Sequence, residues 1–302
     1  MIEAREATSR SRSQRPCISW RGQDRELKPA DAAGRRDVTA GAWFDVRRHR
    51  IRDDVIDELA SRSVVLLGET HDDAGHHRWQ FDTVTALADR RQDIALGFEM
   101  FPRRVQPVVD RWSGGQLDEA SFLAAVDWPR IWGFDPELYM PLFRFARSRR
   151  LPMLALNVDR ETNRRVAATR FSTVSVAERE GVGEPTPASQ VYRDRLRGWF
   201  GRHPAMSAGA DEARFERFVR AQTFWDRAMA EAIAAAVSRK GEPLVIGIMG
   251  SGHIEYGDGA PHQLAALGID RVVTALPWPA GAICPTSDPP VADFVFGEGS
   301  LA

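Results

Sequence analysis

The chain has 302 residues, of which 43% are hydrophobic, and a formal net charge of −1. That length and apolar content suit one large α/β domain with insertions, and the near-neutral balance gives no reason to expect nucleic acid or an acidic membrane surface as a partner. No stretch approaches the roughly 18 apolar residues of a membrane span, and the two cysteines, Cys17 and Cys284, form no CxxC pair, which excludes a disulfide framework and a thiolate zinc cluster.

Residues 1–40 are rich in Arg, Ser, Asp and Gly and show no periodicity, so they are expected to form a disordered or loosely packed tail. The first residues are polar and have no hydrophobic h-region, and Cys17 lacks the apolar run of a lipoprotein signal. As written, the chain is expected to be cytoplasmic; a different start codon would admit a membrane-anchored or exported form. The folded part, 41–302, opens on Gly41-Ala-Trp-Phe-Asp45, and a short amphipathic helix is expected over 51–60. Val64 to Leu67 is a β-branched apolar run that reads as a buried strand, broken by Gly68 and followed at once by Glu69 and His71. Asp72-Asp73 can cap a helix over about 75–91, with His76 and His77 in its first turn. A second strand, Asp93 to Glu99, again ends in a carboxylate. Residues 113–150 read as helical, broken at Ser113-Gly-Gly and at Trp132-Gly-Phe-Asp-Pro136, and Leu151 to Asn157 reads as a third buried strand.

A Gly/Pro/Ser/Thr linker lies within 170–188, and two helices are expected over about 189–201 and 211–239. Pro243 to His253 repeats the earlier design: hydrophobic strand, glycine break, histidine. Arg271 to Leu276 reads as a further strand, and Ala292 to Phe296 as an edge strand. Alternation of strands and helices predicts an α/β fold: a central, mainly parallel sheet flanked by helices, with largely helical insertions at about 102–150 and 170–240.

The chemistry concentrates at the carboxyl ends of those strands, the edge where open α/β sheets bind ligands. Gly68 to His71 and Gly250 to His253 share the spacing Gly-x-x-His, and Glu69 and Glu99 stand beside them. Two histidines and two carboxylates suit a borderline divalent ion or, without metal, acid–base work; spacing does not separate the two. His76 and His77 are adjacent and point to different sides of their helix, so at most one is expected to face the cluster. Tyr256, one of only three tyrosines, follows three residues after His253. A phenolate is an accepted axial ligand of haem iron. No GxGxxG after a strand, no Walker loop and no Gly-x-Ser-x-Gly elbow is present.

Leu67-Gly-Glu-Thr-His71, His76-His77-Arg-Trp-Gln80, Leu96-Gly-Phe-Glu-Met-Phe-Pro102, Leu154-Ala-Leu-Asn157, Ala221-Gln-Thr-Phe-Trp-Asp-Arg-Ala-Met-Ala230 and Gly250-Ser-Gly-His-Ile-Glu-Tyr-Gly257 come in this order. As a set, over about residues 41–298, they resemble the ChaN-like family of iron-regulated haem-binding proteins. That family lies in the haem-binding-uptake and Tiki superfamily, which also looks related to erythromycin esterases. The resemblance implies an α/β core with a helical insertion and a role in haem or iron uptake or handling. It implies haem as the leading ligand, with Tyr256, His76, His77, His71 and His253 as the residues around it. Tiki-type relatives use the paired Gly-x-x-His motifs and a glutamate for metal-dependent proteolysis. The implied alternative is therefore a hydrolase using Glu69, His71, Glu99 and His253, with a divalent ion such as Mn, Zn or Co held by His71, Glu99 and His253. The expected partner is haem or another small molecule, and a homodimer stays open.

Overall fold

Strands form where the β-branched and aliphatic runs lie. In the computed structural model, which describes residues 37–169, 171–202, 211–284 and 287–299, eight strands make one sheet: β1 (Trp43–Asp45), β2 (Arg50–Arg52), β3 (Val64–Glu69), β4 (Ile94–Pro102), β5 (Met153–Asn157), β6 (Leu244–Gly250), β7 (Val272–Pro279) and β8 (Phe294–Glu298). Their order is β2-β1-β8-β7-β3-β6-β4-β5. From β8 to β5 every pair is parallel, and β1 runs antiparallel to β8 and β2. The mainly parallel sheet is the one that strand–helix alternation predicts.

β3, β4, β5 and β6 are buried along their whole length. Helices cover both faces, so these strands read as continuous apolar runs rather than alternating ones. Successive side chains still part to opposite faces. Val65, Leu67, Leu96, Phe98, Ile246 and Ile248 join the core that holds Trp112, Phe122 and Phe143. Val64, Leu66, Ala95, Val245 and Met249 join the one that holds Met229 and Ile233.

The first face is covered by α1 (Val55–Ala60) and α2 (Ala74–Ala88), and by an insertion between β4 and β5 carrying α3 (Gln106–Ser113), α4 (Glu119–Val126), α5 (Trp128–Ile131) and α6 (Met140–Arg149). Past β5 come α7 (Arg160–Ala168), α8 (Gln190–Arg202) and α9 (Glu212–Val237), and α10 (Ala260–Ala266) follows β6. The 26 residues of α9 span about 39 Å, and the Asp211 side chain caps its start by accepting from the Arg214 N–H at 2.8 Å. No helix among the described residues is long and apolar enough to cross a membrane.

Register decides where the chemistry lands. β6 threads between β3 and β4, and Glu69 pairs with Gly250 while Phe98 pairs with Ile248. β3 and β6 therefore end at one level, at Glu69 and Gly250, while β4 carries Glu99 to the same rim and runs on to Pro102.

Several expectations change. Residues 50–52 form a strand, so the helix expected over 51–60 begins only at Val55. β8, expected at an edge, lies between β7 and β1, and β2 takes the edge with two arginines in its three residues, a composition that discourages further strand pairing. Of the expected tail, residues 1–36 lie outside the described residues. Asp37 and Ala40 make isolated bridges to Ile283 and Gly297, and Val38 is buried.

Candidate functional site

The end of β3 delivers Glu69, a fully buried carboxylate with three neighbours. The Tyr139 hydroxyl from the start of α6 donates to Oε1 at 2.7 Å. The Nδ1–H of His71 donates to the same oxygen at 2.8 Å, and Nδ1 of His77 lies 3.3 Å from Oε2. The His71 ring is held edge-on against Trp132 and tilted on Phe134, with centroids at 4.6 and 5.3 Å. Tethered at Nδ1 and walled by aromatics, this imidazole presents its Nε2 edge toward Gly250 and Glu99.

The ends of β4 and β6 build the matching half. Glu99 Oε2 accepts the Gly250 N–H at 2.7 Å, and Oε1 lies 3.4 Å from His253 Nε2. His253 closes a short 3₁₀ turn, Ser251–His253. Its Nδ1 is 2.6 Å from Asp226 Oδ1 on α9, and Asp226 Oδ2 accepts the Tyr192 hydroxyl from α8 at 3.1 Å. The two halves mirror each other: tyrosine, buried carboxylate, histidine Nδ1, with Glu99 between the two rings.

Gly250 makes the closeness of these rings feasible. A Cβ there would stand 2.9 Å from Cε1 and 3.2 Å from Nε2 of His71. Because Glu69 and Trp132 fix the ring, Gly250→Ala is expected to cost about 1–3 kcal/mol. Urea denaturation of the two chains checks this, and equal midpoints would show that the His71 ring gives way freely.

Burial alone would neutralise these groups; their mutual contacts outweigh it. Glu99 works against full desolvation yet is held down at about 2 by the charges of His253 and His71 and by the Gly250 N–H. His253, also desolvated, is raised to about 10 by Glu99 and Asp226. His71 is raised in the same way, its burial overcome by the Glu69 hydrogen bond and by Glu99. Glu69 is lowered despite burial by His77 and His71. Asp226 goes the other way: desolvation lifts it, opposed by His253. The Tyr139 and Tyr192 hydroxyls are pushed well above their ordinary value, first by burial and then by their carboxylate partners, so both stay neutral donors.

Above this floor opens a cleft of about 1180 Å³. Glu69, His71, Glu99, His253 and Tyr256 line it, as do Trp132, Leu196, Trp199, Phe218 and Trp225. Trp199 and Phe218 stack at 5.2 Å with 15° between their planes. Tyr256 adopts a left-handed backbone, φ 61° and ψ 17°, a conformation that costs a non-glycine residue about 1–3 kcal/mol. Its N–H donates to the Val291 carbonyl at 2.8 Å, and the Arg195 guanidinium lies 4.4 Å over its ring while pairing with Asp258. Beside it, burial lifts the Glu255 carboxyl to about 8 against the pull of Arg195.

The structure thus brings Glu69, His71, Glu99, His253 and Tyr256 to one cleft. It does not bring His76 and His77 there as ligand contacts. His77 stands behind Glu69, buried against the Tyr139 ring at 4.3 Å, with Nε2 3.1 Å from the His71 carbonyl. His76 is turned aside: its Nδ1 accepts the Thr70 N–H at 2.8 Å and its Nε2 lies 3.2 Å from Glu298. Among the described residues, Asp73, His76 and Glu298 form the group whose ligand atoms all lie within 4.8 Å of one another, whereas His71, Glu99 and His253 do not close to that spacing. Accepting at Nδ1 leaves the neutral His76 with its proton on Nε2, pointing at Glu298, so the imidazole ties α2 to β8 and in that form offers no free lone pair of its own.

Sequence reasoning missed Asp226, Tyr139 and Tyr192. A signal existed for all three. Asp226 lies four residues past Gln222 on an otherwise apolar stripe of α9, and the amide of Gln222 packs against the His253 ring at 3.3 Å. The chain has only three tyrosines, and all of them stand at this site.

A mainly parallel α/β sheet with paired, carboxylate-tethered histidines beneath an aromatic cleft defines a ligand-binding α/β domain. The chain belongs to the family described as haem-binding uptake, Tiki superfamily, ChaN, whose model matches residues 55–264. Among solved structures it is similar to "Cofacial heme binding to ChaN of Campylobacter jejuni", with TM-score 0.67 and 18% identity over 84% of this chain and 95% of that one. It is also similar to the type III effector HopBA1, with TM-score 0.48 and 11% identity over 89% and 100% of the two chains. A variant of the erythromycin esterase EreC in its open conformation gives TM-score 0.45 and 12% identity over 78% and 77%. No curated protein matches the chain.

Proposed function

We propose that this protein binds haem in the cleft at the carboxyl ends of β3, β4 and β6, and serves haem or iron handling. The observation that carries the reading is that one cleft is lined both by the aromatic side chains Trp132, Trp199, Phe218 and Trp225 and by the phenol of Tyr256. A flat apolar macrocycle needs such walls, and ferric iron accepts a phenolate as axial ligand. Tyr256 would hold the iron, Arg195 would stabilise the phenol from above its ring, and His253 and His71 would support the floor. Family membership and the haem named for the Campylobacter jejuni ChaN point the same way. When bound, haem would supply a redox-active iron, and the protein's residues would supply orientation, desolvation and a phenol oxygen to hold it.

A second reading is a metal-dependent hydrolase, and one observation favours it. His71 and His253 each have Nδ1 tied to a buried carboxylate, the support that metal-ligating histidines use. His71, Glu99 and His253 would draw closer than they stand here to hold a divalent ion such as Mn, Zn or Co, whose chemistry is the activation of water, and Glu69 would orient His71.

Titration of the full chain with hemin separates the two. Under the haem reading the wild type develops a Soret band, and Tyr256→Phe shifts that band and weakens binding by about tenfold or more, since it loses an anionic ligand. Identical hemin titrations of the two chains, together with stoichiometric colourless metal that His253→Ala loses, would replace this reading with the hydrolase.

A further inference from the structure

The cleft is lined by more arginines than its own carboxylates hold. Arg104 is bound by Asp159 at 2.8 Å, and Arg195 pairs with Asp258. Arg164 and Arg217 differ. Both line the cleft and both are exposed at its rim. Arg164 donates only to the backbone carbonyl of Arg160, at 3.4 Å, and Arg217 has no ion pair or side-chain hydrogen bond among the described residues.

Their spacing comes from how α7 meets α9. Arg220 Nε donates to the Ala167 carbonyl at 2.9 Å. The Asn163 amide, in the orientation that satisfies both partners, donates to the Ala221 carbonyl and accepts from the Trp225 indole, each at 3.1 Å. The two helices therefore run in opposite senses, with Arg164 level with about Ala221. Arg217 stands four residues earlier on α9, roughly 6 Å along the wall. Two guanidiniums with no carboxylate partner among the described residues thus line the cleft from neighbouring helices, beside its aromatic wall of Trp199, Phe218 and Trp225.

We propose that Arg164 and Arg217 select the ligand by its carboxylates, taking the two propionates carried on one edge of the porphyrin, so that the cleft discriminates a dianionic porphyrin from a neutral one. The inference rests on the haem reading. Guanidinium forks match carboxylates in a bidentate way that a neutral ester does not offer. Aromatic walls alone would favour the more apolar ester, so a preference for the acid reports the rim.

The test uses the full chain with two probes, ferric protoporphyrin IX and its dimethyl ester. Wild type is expected to bind the acid tighter than the ester. Arg164→Gln/Arg217→Gln should lose about tenfold in affinity for the acid, with an unmoved Soret maximum because Tyr256 is intact, and should bind the ester as wild type does. Arg78→Gln/Arg239→Gln, which removes two exposed charges elsewhere, should match wild type with both probes. The selection proposal is overturned, with the haem reading intact, if the rim variant binds the acid within twofold of wild type or loses as much for the ester. Failure of wild type to bind either probe overturns both.

Discussion

Replacing Asp226 by alanine should destabilise the protein by about 3–5 kcal/mol, the cost of removing one partner from a buried charged pair. Asp226 is completely buried, 2.6 Å from His253 Nδ1, and accepts from Tyr192 at 3.1 Å. Alanine leaves an imidazole, raised to about 10 in the intact site, and a neutral phenol without their acceptor, and it leaves a void that the core on that face cannot refill. Asn at the same position keeps the volume and one acceptor, and should cost less, about 1–3 kcal/mol. Asp194, exposed on α8, is the control: its alanine variant should fall within about 0.5 kcal/mol of wild type. Urea denaturation reads all three. An Asp226→Ala midpoint indistinguishable from the control would mean that the carboxylate behind His253 contributes nothing to holding the fold.

That carboxylate also shows what a sequence conveys and what it withholds. Local signals were readable wherever one element carries its own evidence. The runs Val64 to Leu67 and Leu244 to Met249 are too apolar and β-branched to lie anywhere but in a covered sheet. A glycine break followed by a histidine places that histidine at the strand's carboxyl end, and parallel pairing of Glu69 with Gly250 then brings the two breaks together.

The hidden part depends on contacts between elements far apart in the chain. Asp226 lies 27 residues before His253, and Tyr139 lies 70 after Glu69. A polar Asp226 on the apolar stripe of α9 and the rarity of tyrosine mark these positions as unusual, but the strand ends they face lie on other elements. His76 misled for a related reason. Its place in the first turn of α2 was legible, but its direction is set by the Thr70 N–H and by Glu298 on β8, a strand whose place inside the sheet the sequence did not reveal. The arginine rim was readable only as composition until α7 and α9 were seen to pack in opposite senses.

Stability should be greatest in mildly acidic solution and fall toward alkaline pH by an amount on the order of a few kcal/mol. The direction comes from the same buried groups. His253 faces Glu99 and Asp226, and its folded value of about 10 lies above its ordinary 6.5. Its contribution is therefore complete below pH 6.5 and disappears as pH climbs through 10; His71, also raised, acts in the same sense. Glu255, raised by burial from 4.5 to about 8 beside Arg195, is most favourable as the neutral acid. Its contribution is complete only below pH 4.5 and is lost as pH rises from there through 8. On the acid side Glu99, lowered to about 2 from 4.5, contributes fully above pH 4.5 and is lost as pH falls through 2, and Glu69 behaves likewise. Asp226 offsets part of that acid loss, because burial lifts its carboxyl above the ordinary 3.8. His253 and Glu99 hold together over about pH 4.5–6.5, and because Glu255 is already losing its contribution there, the optimum lies at the acid end of that window. Urea midpoints taken near pH 5.5 and about 9.5 should fall between the two. In Glu255→Gln the drop should shrink, since one of the groups that must ionise in the interior is gone, and in His253→Gln it should shrink further. A midpoint at the alkaline value as high as at the acid one would show that His253 does not carry its proton between two carboxylates, and the mirrored pairing around Glu99 would have to be redrawn.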